Sequence, residues 1–196
     1  QDTPLYAEAV NEKGLYMAGL NFPGNACYTP QPSAKTWHLA PYELIPMILG
    51  TCETLAQARA LLENTELSAI PFGPGYPLAP LHWHLADATG AITVEPMEQG
   101  LVFYENPVGV LTNNPPFSYH MLNLRNYQAL SPAQPENRLA PNVDLPPYGQ
   151  GMGALGLPGD WSPASRFVRA AFLRCTARFG PDKPEQIVQF FHLLQA

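Results

Sequence analysis

The sequence predicts an α+β chain, and three observations carry that expectation. Leu81-His82-Trp83-His84-Leu85 alternates strictly and is followed by the turn residues Asp87-Ala88-Thr89-Gly90 and by Ile92-Thr93-Val94-Glu95, the pattern of a β-hairpin. Leu101–Tyr104 and the β-branched run Val108–Thr112 extend it into an antiparallel meander. Helix starts are announced separately, by Pro41, by Thr54-x-x-Gln57 and by Ser162-Pro163.

Composition bounds the rest. With 196 residues, 46% hydrophobic and 13% charged, the chain holds enough apolar material for one core, and a single domain spanning 1–196 is expected. Its 23 prolines and 15 glycines are scattered between apolar runs, which marks a loop-rich globular chain rather than disorder. A net charge of -6 with 10 basic residues, and no Lys/Arg patch interleaved with aromatics, argues against a nucleic-acid surface. No apolar run reaches the length of a membrane span. Cys27, Cys52 and Cys175 are odd in number, far apart and lack a Cys-x-x-Cys pair, which favours reduced thiols and a cytoplasmic setting over a disulfide frame or a zinc site.

Taken in order, Asn11-Glu12-Lys13-Gly14 is a turn into a strand over Leu15–Phe22. Ala18 and Gly19 at its centre signal the close approach of another backbone or a ligand. Asn21 stands near the strand's end, before the turn signal Pro23-Gly24. Residues 25–39 read as a polar, proline-bearing loop. Pro41 opens a helix over Tyr42–Gly50 that Pro46 is expected to kink or shorten, and Thr54 and Gln57 cap a second helix, with Leu55, Ala58 and Leu62 on one face, running to about Asn64. Both are expected to cover one sheet face. Ile70–Leu78 is too rich in Pro and Gly for helix or strand. Its Phe72 and Tyr76 either wall an apolar pocket or fold onto the loop's own core.

His82 and His84 share a strand face, where the choice lies between metal ligands and satisfied sheet histidines. No third ligand follows at readable spacing, so no metal is expected. Val108–Thr112 is expected to end in Asn113-Asn114-Pro115, placing Asn113 at a strand end, either as turn chemistry or as a hydrogen-bond donor facing what the sheet holds. Helical spacing follows from Pro116-Phe117 to Leu130. Residues 126–148 form a Pro-rich excursion longer than a connection needs, a lid or an assembly arm. Gly151-Met152-Gly153-Ala154-Leu155-Gly156 matches a dinucleotide fingerprint, yet no strand precedes it and Pro158-Gly159 stands where the phosphate-binding helix would start. Those glycines are expected to let the backbone pass beneath the next helix. That helix has Ser162 as N-cap, Pro163 at N1 and an expected stripe of Val168, Phe172, Cys175 and Phe179. Arg166 falls in its first turn, where a cation opposes the helix dipole. It is either solvated or placed to hold an anion. A last helix from Pro184 is expected to align Ile187, Phe190, Phe191 and Leu194 on one face, and Ala196 ends the sequence without a capping residue.

Four segments in combination, Met17–Gly24, Leu81-His82-Trp83, Asn106–Asn113 and Leu157–Phe167, resemble the choloylglycine hydrolase family of conjugated bile salt hydrolases and penicillin V acylases. The resemblance runs in order over essentially the whole chain. It implies an αββα sandwich of two antiparallel sheets between helical layers, incomplete at both ends. It further implies an N-terminal nucleophile amidohydrolase without cofactor or metal, in which a Cys thiolate attacks the amide and its own α-amino group acts as base. On the matching positions, Asn21 and Asn113 correspond to the asparagines around the reacting carbonyl, and Arg166 to an arginine near the nucleophile. Phe72, Tyr76 and Leu81 correspond to the apolar wall of the substrate pocket.

Asn21, where penicillin V acylases of this family tend to carry Tyr, leans the expectation toward conjugated bile salts. The family's nucleophilic Cys, and the Arg and Asp that follow it, fall before the region that Gln1 begins. Cys27, Cys52 and Cys175 are internal and cannot replace it, so the resemblance implies an internal fragment, inactive alone and poorly stable. It also implies a homotetramer at full length, with 126–148 as the arm. Penicillin V or another N-acyl amide as substrate, and a non-catalytic binder of apolar ligands, remain as alternatives.

Overall fold

The computed structural model describes residues 4–30 and 37–194, the side chain of residue 194 excepted. The middle of the expected 25–39 loop, the Leu194 side chain and the chain's last two residues therefore lie outside the described residues. The chain divides into two compact units, Gln1–Ser118 and Tyr119–Ala196. Its strands are β1 (Glu8–Val10), β2 (Tyr16–Asn21), β3 (Trp37–Leu39), β4 (Thr65–Leu67), β5 (Leu81–Asp87), β6 (Gly90–Met97) and β7 (Gly100–Glu105). Its α-helices are α1 (Leu44–Thr51), α2 (Leu55–Glu63), α3 (Phe117–Asn123), α4 (Pro163–Thr176) and α5 (Lys183–Leu194).

The first unit is built on a five-stranded sheet in the order β1-β2-β5-β6-β7, every neighbouring pair antiparallel, beside a parallel β3-β4 pair that the sequence pattern did not announce. The expected hairpin is present with Asp87 opposite Gly90 and Trp83 opposite Val94. Asp87 secures its turn: Oδ1 accepts from the Thr89 amide at 2.7 Å, while Oδ2 accepts from the Leu55 amide at 2.7 Å and so ties the start of α2 to the sheet. These bonds, with the Thr89 hydroxyl foremost, hold the Asp87 carboxyl below its usual range.

Side-chain alternation then sorts the sheet. Met17, Trp83, Leu85, Ile92 and Val94 join Leu44, Ile48, Leu55, Ala58 and Leu62 of the first two helices in one core, as expected for two helices covering one face. Thr54 caps α2 as read, accepting from the Gln57 amide at 3.3 Å, but the Gln57 side chain reaches the Glu53 amide instead of the cap's own. Pro41 opens a single 3-10 turn, Pro41–Glu43, before α1. Pro46 is the third residue of α1, where no intrahelical partner for an N–H exists, so α1 runs through it to Thr51. Mid-strand Gly19 is explained by a side chain: a Cβ there would stand 3.2 Å from the Trp83 Nε1.

Three expectations need correction. Val108–Thr112 forms no strand, because the side chain of Asn106 satisfies the backbone there in place of a neighbouring strand. The buried stripe of α4 is Phe167, Val168 and Ala171. Cys175 is exposed, and Phe179 lies beyond the helix, which ends at Thr176 because the Ala177 backbone turns extended. Of the glycines at 151–156, Gly153 alone makes a close approach, and to the 131–133 backbone, not to a helix: a Cβ there would meet the Ala133 and Ser131 carbonyl oxygens, whereas Gly151 and Gly156 have nothing within 4 Å and take φ of +80° and +93°. A short 3-10 turn, Met152–Ala154, sits there with no strand before it.

In the second unit, the His120 ring of α3 stacks on Phe167 of α4, centroids 4.6 Å apart, and α5 packs beside α4 with Ile187, Phe190 and Phe191 more than half exposed. Residues 128–148 have no regular structure. Ser162 caps α4 as read, accepting from the Ser165 amide at 3.3 Å, and Asp160 reinforces the cap by accepting from the Ser162 amide at 2.9 Å and the Ser165 hydroxyl at 2.5 Å. Hydrogen bonds from Ser162 and then Ser165 bring the Asp160 pKa down to about 2.

A carboxylate held below its unfolded value stabilises the fold above that value and loses this as pH falls through the folded one. Acidification from roughly pH 4 to about 2 is therefore expected to speed amide exchange at Ser165 relative to the β5 amides, and Asp160→Asn to abolish that pH dependence. Equal pH dependence in the variant would contradict it.

Candidate functional site

The site grows from the end of β2. Asn21 is the strand's last residue and pairs with Leu81, the first of β5. Where the sequence pattern placed Asn113 at a strand end, it instead lies in the irregular segment after Asn106, and that segment crosses back to β2: Asn113 Nδ2 donates to the Asn21 carbonyl at 2.9 Å, and Asn114 Nδ2 to the Pro23 carbonyl at 2.6 Å. The two asparagines singled out from the sequence thus meet.

Asn106, 3% exposed, makes this path possible. Its Oδ1 accepts from the Gly109 amide at 2.8 Å, and its Nδ2 donates to the Val110 carbonyl at 2.9 Å and to the Thr93 hydroxyl at 3.1 Å. Gly109 takes a φ of +59°, a conformation that glycine adopts freely.

At its centre, the sheet face opposite the helices is polar and buried. His82, Thr93 and Glu95 are fully buried on it, and His82 uses both ring nitrogens: Nδ1 lies 3.2 Å from Glu95 Oε1 and Nε2 lies 2.7 Å from the Thr112 carbonyl. Phe22 stacks flat on the ring, 4.2 Å between centroids. His82 is therefore a satisfied sheet histidine. His84 faces the Asn106 amide at 3.4 Å, and among the described residues no cluster of three or more His, Cys, Asp or Glu is arranged to hold a metal.

On the helix side, Phe72, Tyr76 and Leu81 line one apolar hollow of about 350 Å³ together with Tyr42, Ile45 and Leu78. Phe72 is held edge-on between Tyr42 and Tyr76, with centroids 5.2 and 5.4 Å away. The end of this loop is fastened by Tyr28, whose hydroxyl donates to the Ala79 carbonyl and accepts from the Leu81 amide, each at 2.8 Å. Burial pushes the Tyr28 hydroxyl up to about 12. Leu81 thus belongs both to the hollow and to the strand pair that ends in Asn21. Arg166, in the second unit, is half-buried in the opening turns of α4 and donates from Nε to the Trp161 carbonyl at 3.2 Å.

All 196 residues match the family described as linear amide C–N hydrolases, choloylglycine hydrolase family. The chain belongs to the choloylglycine hydrolase family. Within it, the chain is 47% identical to a bile salt hydrolase/transferase of Lactiplantibacillus plantarum, over 97% of this chain and 59% of that protein. A crystal structure of a variant of conjugated bile acid hydrolase from Clostridium perfringens superimposes with a TM-score of 0.88 at 37% identity, covering 100% of this chain and 60% of the other. Penicillin V acylase from Agrobacterium tumefaciens shares the fold, with a TM-score of 0.71 at 22% identity over 97% of this chain and 51% of its own. The chain thus spans about three fifths of the length of the two bile salt and bile acid hydrolases and about half of the acylase.

Glu95, Asn106 and Tyr28 escaped the sequence reading. For Glu95 a signal existed: the short turn fixes the hairpin register, and one step beyond the Trp83–Val94 pair places His82 opposite Glu95. Nothing in the pattern around Tyr28 reveals the distant backbone it serves, whereas Asn106 serves backbone only three and four residues on. Asn106→Ala would take the side-chain donor from the Val110 carbonyl and the Thr93 hydroxyl and leave the Gly109 amide only the residue-106 backbone carbonyl, and is expected to lower unfolding free energy by about 1–3 kcal/mol, read by urea denaturation. A shift within error would show that the 106–113 path is held otherwise.

Proposed function

We propose that the protein to which this chain belongs hydrolyses the amide bond of glycine- or taurine-conjugated bile acids, through a cysteine thiolate and an acyl-enzyme. The observation that carries this reading is the joining of Asn113 to the carbonyl of Asn21 at the strand end that Leu81 shares with the apolar hollow. An amide hydrolase needs an acyl pocket of a few hundred Å³ and polar donors fixed where negative charge develops on the reacting carbonyl. Phe72, Tyr76 and Leu81 supply the first, and the side-chain amides of Asn21 and Asn113 the second. Arg166 is assigned to stabilise thiolate or carboxylate charge.

On this reading the nucleophile is an N-terminal cysteine outside these 196 residues, its α-amino group the base, and the chain without it is inactive. Internal Cys27, Cys52 and Cys175 offer no free amine. The sheet described here is one of two in an αββα sandwich forming one domain, the protein works in the bacterial cytoplasm as a homotetramer, and 126–148 is its assembly arm. Support comes from the family membership and from relatives named as bile salt hydrolases.

The decisive experiment supplies glycocholate, taurocholate and penicillin V to the full-length protein that carries this chain. Release of glycine or taurine is expected. Cleavage of penicillin V alone would replace the substrate, and binding of bile salt without cleavage would replace the enzyme by an apolar-ligand binder. Asn113→Ala is expected to lower kcat by about 10²–10³-fold, and turnover equal to the parent would remove Asn113 from the site. Phe72→Ala is expected to raise KM for the steroid conjugates while kcat changes little, because it truncates a wall that ground state and transition state share. An unchanged KM would move the acyl pocket elsewhere.

A further inference from the structure

We propose that the buried His82–Glu95 pair is a positioning device that grips residues 112–117 at both ends and thereby fixes the Asn113 amide on the end of β2. The proposal rests on the reading of Asn113 as a donor to the reacting carbonyl, and adds to it a pair of residues that touch no substrate.

Residues 106–116 lie in no strand or helix, so no ladder holds the segment that carries Asn113. Besides Asn106 and the bonds of Asn113 and Asn114 to the Asn21 and Pro23 carbonyls, side-chain chemistry from the two central strands holds it. His82 Nε2 lies 2.7 Å from the carbonyl of Thr112, the residue before Asn113, and Glu95 Oε1 accepts from the amide of Phe117 at 2.8 Å. The two grips are joined to each other by the 3.2 Å contact of His82 Nδ1 with the same Oε1. Phe22, the residue after Asn21, lies flat on the imidazole and fixes its plane. One ring therefore relates the chain beside Asn21 to the chain beside Asn113.

Proton bookkeeping makes the pair a unit. A carbonyl only accepts, so the Thr112 contact requires a hydrogen on His82 Nε2. The contact between Nδ1 and Oε1 then needs one more proton, carried by either atom, and Glu95 must present an oxygen to the Phe117 amide as well. A charged or proton-sharing pair at 0% exposure is a poor stabiliser, and the second Glu95 oxygen is buried without a hydrogen-bond partner among the described residues. Such an arrangement contributes fixed geometry more than stability.

Glu95→Gln keeps the shape and breaks the logic. If the amide oxygen faces Phe117 and His82, a neutral imidazole must donate from Nδ1 and oppose the Thr112 carbonyl with a bare Nε2. If the amide nitrogen faces them, it meets the Phe117 N–H donor to donor. A doubly protonated ring could hold both, but it would then be a buried cation with no carboxylate beside it, a costly state, so one grip is weakened in every arrangement.

In the full-length hydrolase, Glu95→Gln is expected to lower kcat roughly 10²-fold with KM little changed, and to have no further effect on kcat in an Asn113→Ala background. An equal loss in both backgrounds, or no loss in the first, overturns the proposal. Exchange of the Asn113 side-chain amide protons, followed by NMR without substrate, is expected to accelerate in Glu95→Gln while the β5 amides keep their rates. Protection equal to the parent overturns the proposal whatever the substrate. Should Asn113→Ala itself turn over like the parent, the assigned role of Asn113 fails, and this exchange measurement alone decides the positioning. Nitrogen chemical shifts of His82 in the unmodified protein are expected to show a protonated Nε2, and a bare Nε2 overturns the proposal without any variant.

Discussion

The two-residue turn between Asp87 and Gly90 fixes which side of the sheet every residue of the central hairpin occupies. A slip of one residue in register would turn one strand over against the other, for β5 sending His82 and His84 to the helix-covered face beside Ile92 and Val94 and turning Trp83 and Leu85 away from it. Asp87 guards against that slip through Thr89, and through Leu55 it sets where α2 begins over the apolar face. One half-buried aspartate thus coordinates the turn, the register and the helix layer.

The sheet's two faces divide the work. The helix-covered face excludes water and supplies cohesion through a single cluster from Leu15 to Val94. The centre of the other face is buried yet polar, and its groups hold one another and the backbone of the segment after Asn106. A donor aimed at a developing charge acts only if its position is already set before reaction, which places the demand on its supports. The density of side-chain to backbone bonds along 106–117 meets that demand where no strand pairing exists.

The apolar hollow obeys a different rule. Its walls come from a Pro- and Gly-rich loop with few backbone hydrogen bonds of its own, so Phe72 and Tyr76 are located by ring contacts and by the fastening of the loop's end at Tyr28. Ring contacts tolerate small displacements that hydrogen bonds do not. On the proposed reading, an acyl pocket and a fixed set of polar donors can therefore adjoin at Leu81 without sharing the same stiffness.

Local signals in the sequence determined the hairpin, the starts of α2 and α4, the helix-covered face and the irregular loop at 70–78, because turn chemistry, capping and alternation act within a few residues. They also drew attention to Asn21, Asn113, Phe72 and Tyr76, while Leu81 entered as a pocket residue through the family resemblance. Only the tertiary structure decided that Val108–Thr112 leaves the sheet, since that depends on Asn106 outcompeting a neighbouring strand for the same backbone groups. It alone joined Asn113 to Asn21, 92 positions away in the chain, and gave α4 a buried stripe different from the one its spacing suggested. Contacts between distant segments depend on how whole layers pack, and no window of residues carries that information.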